Sequence, residues 1–294
     1  MRVERELSVK AKAILALWLV FIFLSLTGQS STFFVGGESN YTLIQKAIDA
    51  ASPGDIILVN PGIYKECVDV NKRLILKGIG MPVISIPEQD LYAVYSCSLT
   101  LSASGSVLEG FAVTNASGMA GDPGSGEGIL VLSDGNIIKG NYLYGNWANG
   151  IKLFNASYNI IEENNDTNTI RITMDSHDNL IKNNEIHDSY GLVIINSDHN
   201  VVVDNNITDN VLDMSLEGAN SNIITGNTIG NRIDSLYSSA VELWRANNNT
   251  FEGNIFIGNK KAVYAQESCD NRFFGNKRNG MDLGNESVYV LITQ

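Results

Sequence analysis

Seven times between Asn136 and Asn276 the chain repeats one phrase: an asparagine, two mostly apolar residues, two spacers, and another asparagine. The anchors are Asn136, Asn159, Asn179, Asn200, Asn222, Asn249 and Asn271, each answered five residues later by Asn141, Asn164, Asn184, Asn205, Asn227, Asn254 and Asn276. Steps between anchors are 23, 20, 21, 22, 27 and 22 residues, a period that belongs to a solenoid.

Each unit holds three short strands. The first alternates with period two upstream of its anchor, at residues 128–132, 150–154, 169–173, 191–195, 211–215, 240–244 and 262–266. The second places an apolar residue two positions past the anchor (Ile138, Ile161, Ile181, Val202, Ile224, Phe251, Phe273), and a third follows the second asparagine. Nothing within these repeats shows the 3.6-residue period of a helix. Three strands in ~22 residues make one coil, and stacking coils pairs each strand with its equivalent one turn later, ~4.8 Å away. The asparagines then serve the corners, where side-chain amides bond from coil to coil and left-handed backbone is tolerated.

This pattern resembles the right-handed parallel β-helix of the pectin-lyase-like superfamily, and more closely the NosD-type, carbohydrate-binding and sugar-hydrolysis repeat proteins. The resemblance covers residues 32–285 and includes residues 43–64, where Leu43, Ile44, Ala47, Ile48 and Ala51 outline an amphipathic helix before Pro53-Gly54. It implies an all-β, single-stranded right-handed parallel β-helix of about nine coils. Residues 32–294 form one domain, with a capping helix at 41–52 and a C-terminal cap at 281–294.

Residues 1–31 read as a signal peptide: a basic start, an apolar run from Ala13 to Leu26, then small polar residues. An uncleaved N-terminal anchor is the alternative, and the only membrane association expected. Seven Asn-x-Ser/Thr sequons, at Asn40, Asn115, Asn155, Asn165, Asn206, Asn248 and Asn285, are compatible with glycosylation. The net charge of −12 argues against nucleic acid and anionic membranes. A secreted or cell-surface monomer is expected. Cys67 and Cys97, both in the first coils, are a possible disulfide pair beside Cys269, and no cysteine spacing suggests zinc.

Alternation assigns the outward side chains of the first strands. One column reads Leu130, Lys152, Arg171, Val193, Asp213, Glu242, Tyr264; its neighbour reads Leu132, Phe154, Thr173, Ile195, Ser215, Trp244, Gln266. Aromatic rings stack on sugar faces and charged groups hold hydroxyls or carboxylates, so Phe154, Trp244 and Tyr264 are candidate binders of a polysaccharide or glycan. Residues added to the repeat at 117–127 and 231–239 fall in one corner and would wall that groove.

The enzymatic alternative is a polysaccharide lyase, glycoside hydrolase or uronate epimerase in the same groove. Asp213 and Glu242 on adjacent coils would stand ~5 Å apart, as in a retaining glycosidase. Arg171 and Lys152 would serve a lyase by neutralising a uronate and supplying a base. Asp175-Ser-His-Asp178 resembles the Asp-Pro-His-Asp signature of alginate epimerases, with Ser176 in place of proline. The acidic clusters of polygalacturonases are missing, and the calcium-binding set of pectate lyases is not evident. The NosD resemblance raises copper-site maturation, a third reading beside that of a structural spacer. His177 and His199 share a corner of successive coils, but no cysteine or third histidine completes a site. No cofactor is therefore expected; calcium and copper stay open but unsupported.

Overall fold

The structure is a computed structural model that describes residues 30–87, 98–114, 126–146, 148–166, 168–230, 239–279 and 281–282. The segment read as a signal peptide, the two wall segments, Cys97 with its possible disulfide, and the C-terminal cap lie wholly or mostly outside those residues.

Three parallel sheets wrap one core. Sheet 1 holds nine first strands, from Val68–Val70 to Lys261–Gln266. Sheet 2 has eleven strands, from Thr32–Val35 to Arg272–Phe274. Sheet 3 also has eleven, starting at Ile63–Lys65, its last pairing antiparallel. Among the described residues nine coils carry all three strands, as expected, and sheet 2 runs one strand beyond them at each end. Inward residues such as Leu76, Leu108, Ile138, Ile161 and Phe251 are fully buried in one continuous cluster, and Phe251 stacks on Phe273 at 4.7 Å.

A helix, α1 (Ile44–Ala50), lies at the N-terminal end, and its Ile44, Ala47 and Ile48 join the same cluster. Its first turn is held by Glu66, whose carboxylate accepts the N–H groups of Ile44 at 2.8 Å and Gln45 at 3.0 Å. That satisfies donors a helix start leaves open.

The asparagines form two ladders. Asn136 N–H donates to Asn159 Oδ1 at 2.8 Å, and the bond repeats through Asn179, Asn200, Asn222 and Asn249 to Asn271. The second ladder runs likewise from Asn141 to Asn276. Left-handed backbone does not fall on these asparagines. It falls one residue earlier, at Tyr158, Asp178, His199 and Ser221 in one corner and at Glu163, Asn183 and Asp204 in the next. The turn is thus completed before the ladder residue, leaving its amide free to point inward.

The outward face of sheet 2 has a character the repeat did not announce. Ile56, Ile75, Val107, Ile137, Ile160, Leu180, Val201 and Ile223 are in register, giving eight aliphatic rungs on the outside of the coil. Two residues along each strand, Lys77, Glu109, Lys139, Glu162 and Lys182 form a second column of alternating charge.

Candidate functional site

Sheet 1 presents the columns in which sugar-binding residues were expected, with one shift of register. Thr100, Leu130, Lys152, Arg171, Val193, Ser215, Glu242 and Tyr264 are aligned, and beside them Phe154, Thr173, Ile195, Glu217, Trp244 and Gln266. Asp213 is therefore not in the outward column. The strand is Met214–Glu217 rather than 211–215, and Ser215, not Asp213, pairs with Glu242. The adjacent carboxylate pair expected from the sequence does not exist.

Asp213 instead turns inward at the corner between sheets 3 and 1. It is 1% exposed; Oδ1 accepts Asn210 N–H at 3.3 Å and Oδ2 accepts Asn259 Nδ2–H at 2.9 Å, across two coils. Burial pushes its carboxyl up to about 6, against the hydrogen bonds from Asn259 and Asn210. It stands where a third set of asparagines (Asn146, Asn168, Asn210, Asn259) otherwise bridges coils. The sequence signal was an asparagine four or five residues after the second ladder position.

The two cations also part company. Lys152 is buried, its Nζ 2.9 Å from Glu127 Oε1, with side-chain exposures of 6% and 1%. Its charge is spent inside the fold, and Glu127 Oε2 has no hydrogen-bond partner. Sequence reasoning gave Glu127 no role because it closes the aperiodic segment 117–127, where no repeat fixes its position. Arg171, one rung on, is partly exposed and makes no ion pair among the described residues.

The face consequently divides. Near its middle Phe154 stands with Lys152 Nζ 5.7 Å from its ring centre, and Arg171 is the outward cation. Three rungs further, ~14 Å along the axis, comes Glu242. Burial raises its carboxyl and Lys261 opposes the shift. Trp244, 40% exposed, stands on the same rung, and Tyr264 on the next, its hydroxyl donating to Gln266 Oε1 at 3.0 Å. Val193 and Ile195 separate the two groups. The three aromatic candidates share one face, but only Trp244 and Tyr264 are neighbours.

The Asp175–Asp178 corner lies at the edge of this face. Met174 is an extra residue there, and both Met174 and Asp175 are left-handed at φ +58°. Ser176 Oγ is inside the fold, accepting Ala156 N–H at 3.1 Å. His177 belongs to another ladder, in which each side chain accepts the N–H of the coil above. It passes from Asp134 through Ser157, His177, Asp198, Asn220 and Asn247 to Cys269. His177 Nδ1 accepts Asp198 N–H at 3.2 Å, which leaves the ring proton on Nε2.

A family model described as "Periplasmic copper-binding protein (NosD)" matches residues 97–239. A cell surface glycoprotein of Methanothermus fervidus is 32% identical over 103 residues, 34% of this chain and 16% of that protein, so the chain spans about a sixth of that relative. Among solved structures, an alginate lyase from Paenibacillus sp. str. FPU-7 superposes with TM-score 0.62 at 17% identity, covering 82% of this chain and 93% of the lyase. The active domain of a bacteriophage CBA120 tailspike gives 0.61 at 11%, covering 90% and 46%. A periplasmic alginate epimerase gives 0.55 at 17%, covering 82% and 65%. These likenesses show the fold alone, a right-handed parallel β-helix, with residues 97–239 similar to the NosD family model.

Among the described residues the three histidines do not gather into a copper site. His177 has Nδ1 committed to the ladder, and His187 Nδ1 lies 2.7 Å from Asp188 Oδ2. His199 occupies the left-handed position of Asp178, one place beyond that of His177, while Met214 is buried in the core. Among the described residues, no three His, Cys, Asp or Glu side chains converge.

Proposed function

We propose that this β-helix protein acts outside the cytoplasm, at the cell surface, where it binds a polysaccharide or glycan along the outward face of sheet 1. The observation that carries the reading is the cluster of Trp244, Tyr264 and Glu242 on two consecutive rungs, with an exposed indole beside a half-buried carboxylate. An ordinary solvated strand face has no use for an exposed indole, whereas a sugar ring stacks on one while its hydroxyls bond a nearby carboxylate. Phe154 and Arg171 offer a second contact point farther along, so an extended chain fits better than a single sugar. The names borne by the neighbours and by the Methanothermus relative support a glycan as the kind of partner.

A catalytic reading rests on one observation: burial raises the carboxyl of Glu242, as a general acid requires. It would have to work without Asp213 and without Lys152, whose charge is paired inside the fold.

One experiment separates the two. The protein is incubated with neutral, uronate-containing and cell-wall polysaccharides, and reducing ends, unsaturated uronide absorbance and retardation in affinity gels are followed together. The expected outcome is retardation without product, weakened by Trp244→Ala. Product formation lost in Glu242→Gln would replace binding with catalysis, and no response to any polysaccharide would remove both.

A further inference from the structure

We propose that the outward face of sheet 2 joins two copies of this chain in an antiparallel, two-fold symmetric dimer. This inference is independent of the glycan reading, which concerns sheet 1.

The face holds the eight aliphatic rungs from Ile56 to Ile223, a stripe about 34 Å long at ~4.8 Å per rung. Leu180 and Val201 are closed over by their neighbours, while the other six remain partly exposed. Five consecutive rungs, Ile56 to Ile160, thus present apolar surface, with Ile223 beyond, and an exposed apolar stripe of this kind marks an interaction site. What identifies the occupant is the pattern of charge and size beside it.

A two-fold axis along the strand direction lays stripe on stripe and charge column on charge column, with rung order reversed. An eight-rung stripe matches itself end to end only if the axis passes between its fourth and fifth rungs, Ile137 and Ile160. The same axis sets Lys139 opposite Glu162 of the second copy, and Glu109 opposite its Lys182. Every contact in an isologous interface occurs twice, so this alternation is self-complementary. Within each copy the column holds three lysines and two glutamates, with Lys139–Glu162 at 3.4 Å and Lys182–Glu162 at 2.7 Å. The chain's net charge of −12 therefore gathers elsewhere and little opposes contact here.

The corner ridge on the other side of the stripe repeats the match in size. Its left-handed positions read Gly105 and Gly135, then Tyr158 and Asp178. The axis places Tyr158, 53% exposed, opposite Gly135 of the second copy, where a Cβ would meet nothing within 4 Å. Asp178 faces Gly105, where the Arg73 side chain lies, its Cδ 3.2 Å from the place a Cβ would take. The match in size is therefore that of Tyr158 with Gly135.

The test is analytical ultracentrifugation of the purified protein with charge-swapped variants. Wild type is expected at twice the chain mass of 32.0 kDa at micromolar concentration. Lys139→Glu and Glu162→Lys each set like charges across the axis, and each is expected to weaken the dimer about tenfold or more. Mixed in equal amounts, the two variants restore opposite charges at both positions and are expected to form a heterodimer of near wild-type affinity. Should either fail to fold, Ile56→Asp at the far end of the stripe supplies the disruption. Wild type sedimenting as a monomer, single variants that dimerise unchanged, or a mixture that stays monomeric would each overturn the proposal.

Discussion

Sheets 1 and 2 stand on the same rungs and enclose the same core, yet their outward faces follow different rules. Sheet 2 repeats one aliphatic type for eight rungs and alternates Lys with Glu beside it. Sheet 1 changes at almost every step, from Lys152 and Arg171 through Val193 and Ser215 to Glu242 and Tyr264. Stacking geometry cannot explain the difference, because both sheets obey it. A face that treats all rungs alike suits a partner with the same period. A face that distinguishes rungs suits a ligand that meets particular ones.

The sharpest probe lies within sheet 1, where two cations sit on adjacent rungs in unlike surroundings. Lys152→Ala leaves the Glu127 carboxylate buried and unpaired and is expected to cost about 3–5 kcal/mol. Arg171→Ala should stay within about 0.5 kcal/mol, as for an unpaired outward residue. Denaturant midpoints measure both, and similar losses would mean that this face is structural throughout.

Next comes the interior that both sheets share. Asn200→Ala deprives Asn179 N–H and Ser176 C=O of partners at 2.9 and 3.0 Å, and two orphaned buried groups suggest a loss of about 3 kcal/mol. A comparable loss from Ile195→Thr, on the outward face, would erase the distinction between ladder and surface.

Asp213 is expected to act through pH. Its carboxyl titrates near 6 when folded and near 3.8 when unfolded, so the native state binds the proton more tightly. Its contribution is greatest below the unfolded value and is lost as pH rises through 6, by about 3 kcal/mol. Wild type compared with Asp213→Asn by denaturation from acid to neutral pH should show that step in the wild type alone.

The smallest stability effect belongs to Trp244→Ala. With 40% of the residue in solvent, stability should change by no more than about 0.5–1 kcal/mol while retention on a glycan gel falls. A large loss of stability would make the indole a packing residue.

The ladders, the three strands per coil and the inward Ile138, Ile161 and Ile181 were legible in the sequence because one residue type recurs wherever the fold repeats. Asp213 was misread for a physical reason: Leu212 and Met214 are both apolar, so alternation fits a strand starting at either. The start is set by the corner bonds of Asn210 and Asn259 to Asp213, which span 46 residues in the second case. The outer stripe went unread because the residue after each anchor is as apolar as the inward one beyond it, as in Asn159-Ile160-Ile161. Glu127 is partnered through space with Lys152, and no repeat announces it.

The asparagine ladders also bear on how such a protein changes over generations. Each coil receives from the one below and offers the one above the same set of bonds, so a coil copied or removed whole leaves its neighbours with identical partners. Inheritance can then alter the reach of the molecule in whole steps of ~4.8 Å without redesigning any coil. A surface whose meaning depends on matched ends, like the eight-rung stripe, is the part that such duplication would put out of step.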